Sequence, residues 1–144
     1  MTINFHLENV LQNIQKAKGL PNAHYIDQSV YEIEKNALIF NQWAGLAVAN
    51  DVPKPGDAIP IKFLEMPLIL IRDKNGTVRV FMNSCRHRGM ILLEVQRKIE
   101  GAIRCPYHSW CYSTEGKLIS TPHVGGAGHN THKEIKRSEL GLIE

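Results

Sequence analysis

The sequence predicts a mainly β fold, in which a small antiparallel β domain follows an N-terminal helical arm. Its 144 residues suit one domain with its own core. Apolar residues recur at helical spacing only in the first 40 positions, and short alternating or β-branched runs separated by Gly, Pro and Asn come after them. We therefore expect residues 1–41 to form the helical arm and residues 42–144 to form the β domain.

The arm should contain two helices. The first has an apolar face with i, i+3, i+4, i+7 spacing, made of Leu7, Val10, Leu11 and Ile14. Gly19 and Pro21 should end it. The second helix should begin at Ser29, because Ser29 and Glu32 form an S-x-x-E capping box. Its buried stripe should consist of Val30, Ile33, Ala37 and Phe40.

Strand-like runs begin after Phe40. We expect a first strand at Trp43–Ala49, with Trp43 packed in the core, and then a loop with two prolines and a glycine at Asp51–Asp57. The remaining strands should be Ile59–Leu64, Pro67–Arg72, Thr77–Met82, Ala102–Cys105, Trp110–Ser113 and Lys117–Ser120. Asn75-Gly76 predicts a tight hairpin before Thr77, and Pro122–Gly128 predicts a surface loop.

Composition excludes several classes of function. A net charge of +3 is too small and too scattered to indicate nucleic-acid binding. Three cysteines do not make a disulfide framework, and spaced cysteines in an intracellular chain point to metal or redox chemistry. No apolar run reaches the roughly 18 residues of a transmembrane helix, so we expect no membrane association. The N-terminus lacks the features of a secretory signal, and we expect a cytoplasmic location.

Two short motifs carry the chemistry of the sequence. The first contains Cys85 and His87, the second contains Cys105 and His108, and together they read C-x-H-x17-C-x2-H. Two thiolates and two imidazoles suit either a tetrahedral zinc site or a Rieske [2Fe–2S] cluster, in which two Cys bind one iron and two His bind the other. Zinc motifs usually pair Cys with Cys and His with His, whereas each motif here is mixed. The spacing therefore favours the iron–sulfur cluster.

The run from Asn83 to Gly89, together with Cys105-Pro-Tyr-His-Ser-Trp110, resembles the Rieske domain of aromatic-ring-hydroxylating oxygenase α subunits. Ile39-Phe40, Trp43, Pro55-Gly56-Asp57 and Phe81 agree with that family as well. The resemblance implies one [2Fe–2S] cluster, with Cys85 and Cys105 on one iron and His87 and His108 on the other.

The resemblance also implies function and partners. A reductase or ferredoxin would donate electrons, and a mononuclear iron in an oxygenase catalytic domain or a neighbouring subunit would accept them, within an assembly that can be a homo-oligomer. We expect the chain to correspond to the N-terminal portion of such a subunit. A stand-alone Rieske ferredoxin is one alternative. A zinc-stabilised interaction module is an alternative of another class.

Several positions separate the chain from relatives. High-potential Rieske proteins have a disulfide at the places of Met90 and Tyr107 and a serine at the place of Trp110, so we expect a lower reduction potential here. Ser109 replaces the glycine usual after the second histidine.

We expect Cys111 to be a buried strand cysteine. Five basic residues lie near the motifs in the sequence: Arg86, Arg88, Arg97, Lys98 and Arg104. They form either a docking face for an acidic electron donor or ordinary surface charge.

Overall fold

The computed structural model of the protein describes residues 7–144. The chain divides into two compact units, one ending at Gly45 and the other formed by Leu46–Glu144. The division into a 1–41 arm and a 42–144 β domain stays a prediction, since the first six residues of the arm lie outside the described residues. Within residues 7–144, no helix has both the length and the apolar character needed to cross a membrane.

The first unit contains two helices, α1 at Ala23–Ile26 and α2 at Gln28–Ala37, followed by a 3-10 turn at Ile39–Asn41. Helix α2 begins one residue before the predicted start, because Asp27 rather than Ser29 is its N-cap. The Asp27 carboxylate accepts hydrogen bonds from the backbone N–H of Ser29 at 2.8 Å and from its hydroxyl at 2.7 Å. Val30 is the buried member of the predicted stripe, whereas Ala37 and Phe40 are exposed.

The predicted first helix is wrong beyond a single turn. Only a 3-10 turn forms at Leu7–Asn9, and the side chains of Leu11 and Ile14 are 78% and 92% exposed. Asn13 explains part of the difference, since its side chain accepts the N–H of Gln15 at 3.1 Å. Asn side chains compete in this way with helical hydrogen bonds, and a short helix without a packed face is marginal.

The second unit consists of two antiparallel sheets. The four-stranded sheet has the order β3-β2-β1-β4, and its strands are β1 at Asp57–Phe63, β2 at Met66–Arg72, β3 at Val78–Met82 and β4 at Arg97–Lys98. The three-stranded sheet has the order β5-β6-β7, with β5 at Ile103–Arg104, β6 at Cys111–Tyr112 and β7 at Leu118–Ser120. The predicted mainly β, antiparallel fold class is confirmed, and six of the predicted strands form with slightly different ends.

The predicted strand at Trp43–Ala49 is wrong, and Trp43 is fully exposed rather than packed in the core. Side chains take the backbone groups that a sheet partner would need. The guanidinium of Arg72 donates to the carbonyl of Ala49 at 2.8 Å, and the carboxylate of Asp51 accepts the N–H of Val48 at 3.1 Å. Strand β4 escaped prediction because it is two charged residues long and exists only through pairing with β1.

Both sheets contribute to one core, which includes the two motif cysteines. Its most deeply buried apolar members include Ile69, Ile71, Phe81, Leu93, Ile103 and Tyr112. Gly116 packs directly against this core, since a Cβ there would come within 2.7 Å of the ring of Phe81. Residues 142–144 lie across both sheets. The carbonyl of Ile143 accepts the N–H of Met82 and the N–H of Leu142 donates to the carbonyl of Gly116, each at 2.8 Å.

Candidate metal centre

The two motifs form loops with the same backbone geometry. In the first loop, the N–H of Cys85 donates to the carbonyl of Met90 at 2.8 Å, and the N–H of Gly89 donates to the carbonyl of Cys85 at 2.8 Å. The second loop repeats the pattern. Cys105 donates to Trp110 at 2.8 Å, and Ser109 donates to Cys105 at 3.1 Å. Each loop is thus closed by its own backbone, with the cysteine at the closure.

The residue four positions after each cysteine adopts a positive φ. Gly89 has φ of 70° and Ser109 has φ of 59°, so both lie in the left-handed region that favours glycine. Ser109 therefore takes up the backbone conformation of the glycine that it replaces. The cost of that conformation for a residue with a Cβ is about 1–2 kcal/mol.

Asn83 anchors the first loop to the core. Its side chain is buried and makes three hydrogen bonds to one neighbouring segment. The amide nitrogen donates to the carbonyl of Leu93 at 2.6 Å, and the amide oxygen accepts the N–H groups of Leu92 and Leu93 at 3.0 and 2.9 Å. Cys85 follows two residues later, so its position is fixed by a buried polar side chain that makes three hydrogen bonds.

The two thiols are buried together. Cys85 and Cys105 are each 2% exposed. The hydroxyl of Tyr112 lies 3.2 Å from the sulfur of Cys85 and accepts the N–H of Arg86 at 3.0 Å. Burial raises the pKa of Cys85, the hydrogen bond from Tyr112 lowers it, and the adjacent Cys105 raises it again. Burial also raises the pKa of Tyr112, so its hydroxyl stays protonated and available as a donor.

The two imidazoles form a second pair and are only half-buried. The ring centroids of His87 and His108 are 4.7 Å apart, with planes at 71°. The Nδ1 atom of His108 is buried and has no hydrogen-bond partner among the described residues, which suits a nitrogen that binds a metal. The pKa of His87 is lowered, first by burial and then by the charges of His108 and Arg88. A neutral imidazole is the form that binds iron.

The predicted site residues therefore come together as a buried thiol pair and a half-buried imidazole pair. Within residues 7–144, no three His, Cys, Asp or Glu side chains converge closely enough to hold a single metal ion. A Rieske cluster does not need such a group, because each of its irons takes two protein ligands. The residues present fit a two-iron cluster through the buried thiol pair, the imidazole pair and the unpartnered Nδ1 of His108.

Cys111 is a buried strand cysteine, as predicted, and it belongs to β6. Its thiol donates to the carbonyl of Ser109 at 3.2 Å. The functional group that sequence reasoning missed is the hydroxyl of Tyr112. The signal for it was a tyrosine in a short strand next to the second motif, because a buried tyrosine hydroxyl nearly always finds a partner.

Comparison with known proteins identifies the family. The family model of the Rieske [2Fe–2S] domain matches residues 42–134. The α subunit of biphenyl dioxygenase from Paraburkholderia xenovorans is 36% identical over 110 residues, which are 76% of this chain and 24% of that protein. The oxygenase subunit of carnitine monooxygenase from Acinetobacter baumannii is 33% identical over 111 residues, which are 77% of this chain and 30% of that protein.

Solved structures give the same result. The quaternary ammonium Rieske monooxygenase CntA superposes with a TM-score of 0.77 at 28% identity, covering 88% of this chain and 34% of that one. Naphthalene 1,2-dioxygenase from Rhodococcus sp. superposes with a TM-score of 0.73 at 31% identity, covering 85% of this chain and 27% of that one. The chain thus spans about a quarter to a third of the length of these relatives. On the family match, the fold and the paired Cys and His side chains, the chain belongs to the Rieske [2Fe–2S] domain family, with homology to the N-terminal region of oxygenase α subunits, and its cofactor is a [2Fe–2S] cluster.

Proposed function

We propose that the chain is the electron-transfer domain of a ring-hydroxylating Rieske oxygenase. In this proposal Cys85 and Cys105 bind one iron, and His87 and His108 bind the other. The observation that carries it is the pairing of side chains, with the thiols buried and the imidazoles half-buried. When bound, the cluster supplies a centre that gains and loses one electron.

The chain's own residues prepare this centre in three ways. The core around Cys85 and Cys105 excludes water from the sulfur ligands. Tyr112 donates a hydrogen bond to the first sulfur and fixes the loop through the N–H of Arg86. His87 and His108 are partly exposed, so an electron partner could approach an iron that they held from the surface.

The side-chain pairing also favours this function over a zinc-stabilised interaction module. A structural zinc ion needs four ligands converging on one point. Among the described residues, not even three suitable side chains converge in that way. The relatives are oxygenase subunits, which favours the oxygenase assignment over a stand-alone Rieske ferredoxin.

The partners follow from the same proposal. A reductase or ferredoxin would donate the electron, and the mononuclear iron of an oxygenase catalytic domain, in the same or a neighbouring subunit, would accept it. The relatives are named for dioxygenation of biphenyl and monooxygenation of carnitine, so the family covers chemically different substrates. The acceptor domain, rather than this one, would select the substrate.

The basic residues near the loops suit an acidic donor. All five are exposed, and none forms an ion pair with another described residue: Arg86, Arg88, Arg97, Lys98 and Arg104. Arg97 and Arg104 lie on the edge strands of the two sheets and line the same surface depressions as Pro106 of the second loop. Opposite charge on a donor would steer it to this surface.

A reduction experiment tests the proposed function. The chain, reconstituted with iron and sulfide, should contain two irons and two acid-labile sulfides and should give the reduced-state EPR signal of mixed Cys and His ligation. A reductase or ferredoxin should reduce it by one electron per chain, and it should oxidise no organic substrate by itself. Bound zinc without sulfide would refute the proposal, and so would product formed from O2 by this chain alone.

Charge reversal tests the docking surface separately. Arg97→Glu combined with Arg104→Glu should slow reduction by a ferredoxin about tenfold at low salt, and the difference should shrink as ionic strength rises. Lys117→Glu with Lys133→Glu is the matched control, because both lysines are exposed and lie outside the two depressions. Equal reduction rates for the two double variants would show that the electron donor does not dock at this surface.

A further inference from the structure

The imidazole of His87 stacks on an indole. The ring centroids of His87 and Trp110 are 4.8 Å apart, and their planes differ by only 12°. Trp110 is 4% exposed and belongs to the core, whereas His87 is half-buried. The stacked indole therefore covers a face of this imidazole with a rigid, apolar surface.

Trp110 connects the two loops. Its backbone carbonyl closes the second loop by accepting the N–H of Cys105 at 2.8 Å. Its side chain, however, lies against His87 of the first loop. One residue thus contributes backbone to the second loop and packing to the first, so the geometry of one loop depends on the other.

The second imidazole is held differently. The ring of His108 contacts the ring of Tyr107 at a centroid distance of 3.7 Å and a tilt of 35°. Tyr107 is 59% exposed, so the core does not fix the tyrosine ring that contacts His108. A side chain that keeps rotational freedom constrains its neighbour less than one that is locked by packing.

We propose that Trp110 is a positioning residue that fixes the ring plane of His87 and keeps water from one face of it. The inference rests on the proposed function, because it takes His87 and His108 as the ligands of one iron. It goes beyond that function in assigning the orientation of one ligand to a residue that does not itself bind the metal. If Trp110 merely filled the core, any apolar side chain of similar size would serve equally well.

Three variants distinguish stacking of the Trp110 ring on His87 from simple filling of core volume. Trp110→Phe keeps an aromatic face, Trp110→Met fills much of the same space without one, and Tyr107→Leu is the matched control beside the other imidazole. The nitrogen hyperfine couplings of the reduced protein, measured by pulsed EPR, report the orientation of each bound imidazole. The reduction potential reports the access of water to the centre.

Unmodified protein should show two distinct sets of imidazole couplings. Trp110→Phe should keep both sets. Trp110→Met should broaden or shift one set and raise the potential, since water stabilises the reduced state, which carries one more negative charge. Tyr107→Leu should leave the couplings and the potential at their original values.

Unchanged couplings and potential in Trp110→Met would overturn the inference, and so would equal changes in the Phe and Met variants. If the Met variant takes up no cluster, the Phe variant decides, because couplings or a potential that change in Trp110→Phe, which keeps an aromatic face, would contradict the inference. An unmodified protein whose cluster shows no nitrogen couplings at all would instead refute the proposed ligand set. The two failures are therefore distinguishable.

Discussion

The Tyr112 hydroxyl lies 3.2 Å from the sulfur of Cys85, and both side chains are buried. A hydrogen bond to a thiolate ligand is worth more when the centre carries an additional electron, because the charge on sulfur is then larger. This single contact joins strand β6 to the first loop and would act on the electronic properties of the proposed centre.

Tyr112→Phe should therefore lower the reduction potential. The expected decrease is roughly 20–60 mV, which corresponds to about 0.5–1.5 kcal/mol for the loss of one hydrogen bond. Redox titration followed by EPR measures it, with the cluster content of both proteins determined in parallel. Ser113→Ala is a control, since the Ser113 hydroxyl accepts the N–H groups of Glu115 and Lys117 in the following turn rather than contacting a proposed ligand. A potential that stays the same in the Phe variant would refute the role of the hydroxyl.

Replacing one proposed cysteine ligand should abolish the cluster. Cys85→Ser and Cys105→Ser should each lose iron, sulfide and the visible spectrum, and they should unfold more easily, because binding of the metal centre contributes folding free energy. Cys111→Ser provides the matched control. It is the third buried thiol, and a serine there can still donate to the carbonyl of Ser109. If Cys111→Ser lost the cluster and Cys85→Ser kept it, Cys111 rather than Cys85 would be the ligand.

Ser109→Gly should stabilise the protein. At φ of 59° glycine removes the steric cost of a Cβ, which exceeds the entropy that glycine adds to the unfolded chain, and the net gain should be about 0.5–1 kcal/mol. Thermal unfolding of the cluster-loaded protein measures it. Ser138→Gly, in the exposed turn Arg137–Glu139, should instead destabilise by a few tenths of a kcal/mol. Destabilisation by both substitutions would contradict the backbone argument.

Asp73 should make stability depend on acid pH. Its buried carboxylate accepts the Nε–H of Arg79 at 2.9 Å and the N–H groups of Asn75 and Thr77 at 2.8 and 2.9 Å. The ion pair with Arg79 and then the backbone bonds lower its pKa, although burial opposes them. Because the folded pKa lies below the unfolded value of about 4, this contribution is complete above that value and is lost as pH falls through the folded pKa.

The Asp73→Asn variant tests that dependence. Its free energy of unfolding should be lower than that of the unmodified protein at pH 6, and the difference should narrow as the pH is lowered below about 4. Denaturant titrations of both proteins at several pH values give the comparison. Lys62→Gln is a useful control, because both side chains of its ion pair with Glu65 are exposed and the pair should contribute little. A difference that is constant over this pH range would contradict the assignment to Asp73.

The site was more predictable from sequence than the first unit. Residue type and spacing specify Cys85, His87, Cys105 and His108, because few chemistries use that set, although their role as ligands stays a prediction. The Asn75-Gly76 turn also predicted the hairpin correctly. Trp43, in contrast, has no signal in its own segment that could reveal its exposure. The predicted strand ends at Ala49, whose carbonyl accepts a hydrogen bond from Arg72, 23 residues later in the chain, so this carbonyl is not available to a sheet partner.

Residues 142–144 hold the two sheets together at a point far along the chain from the strands they bridge. Their backbone bonds reach Met82 in the four-stranded sheet and Gly116 in the turn between strands β6 and β7 of the other sheet, and Glu144 pairs with Arg79 at 2.9 Å. The two sheets cannot separate without breaking the hydrogen bonds of this short segment. The second unit should therefore unfold in one cooperative transition. Unfolding of one sheet alone, together with its ligand loop, is therefore unfavourable. The two loops that form the cluster site should fold and unfold together.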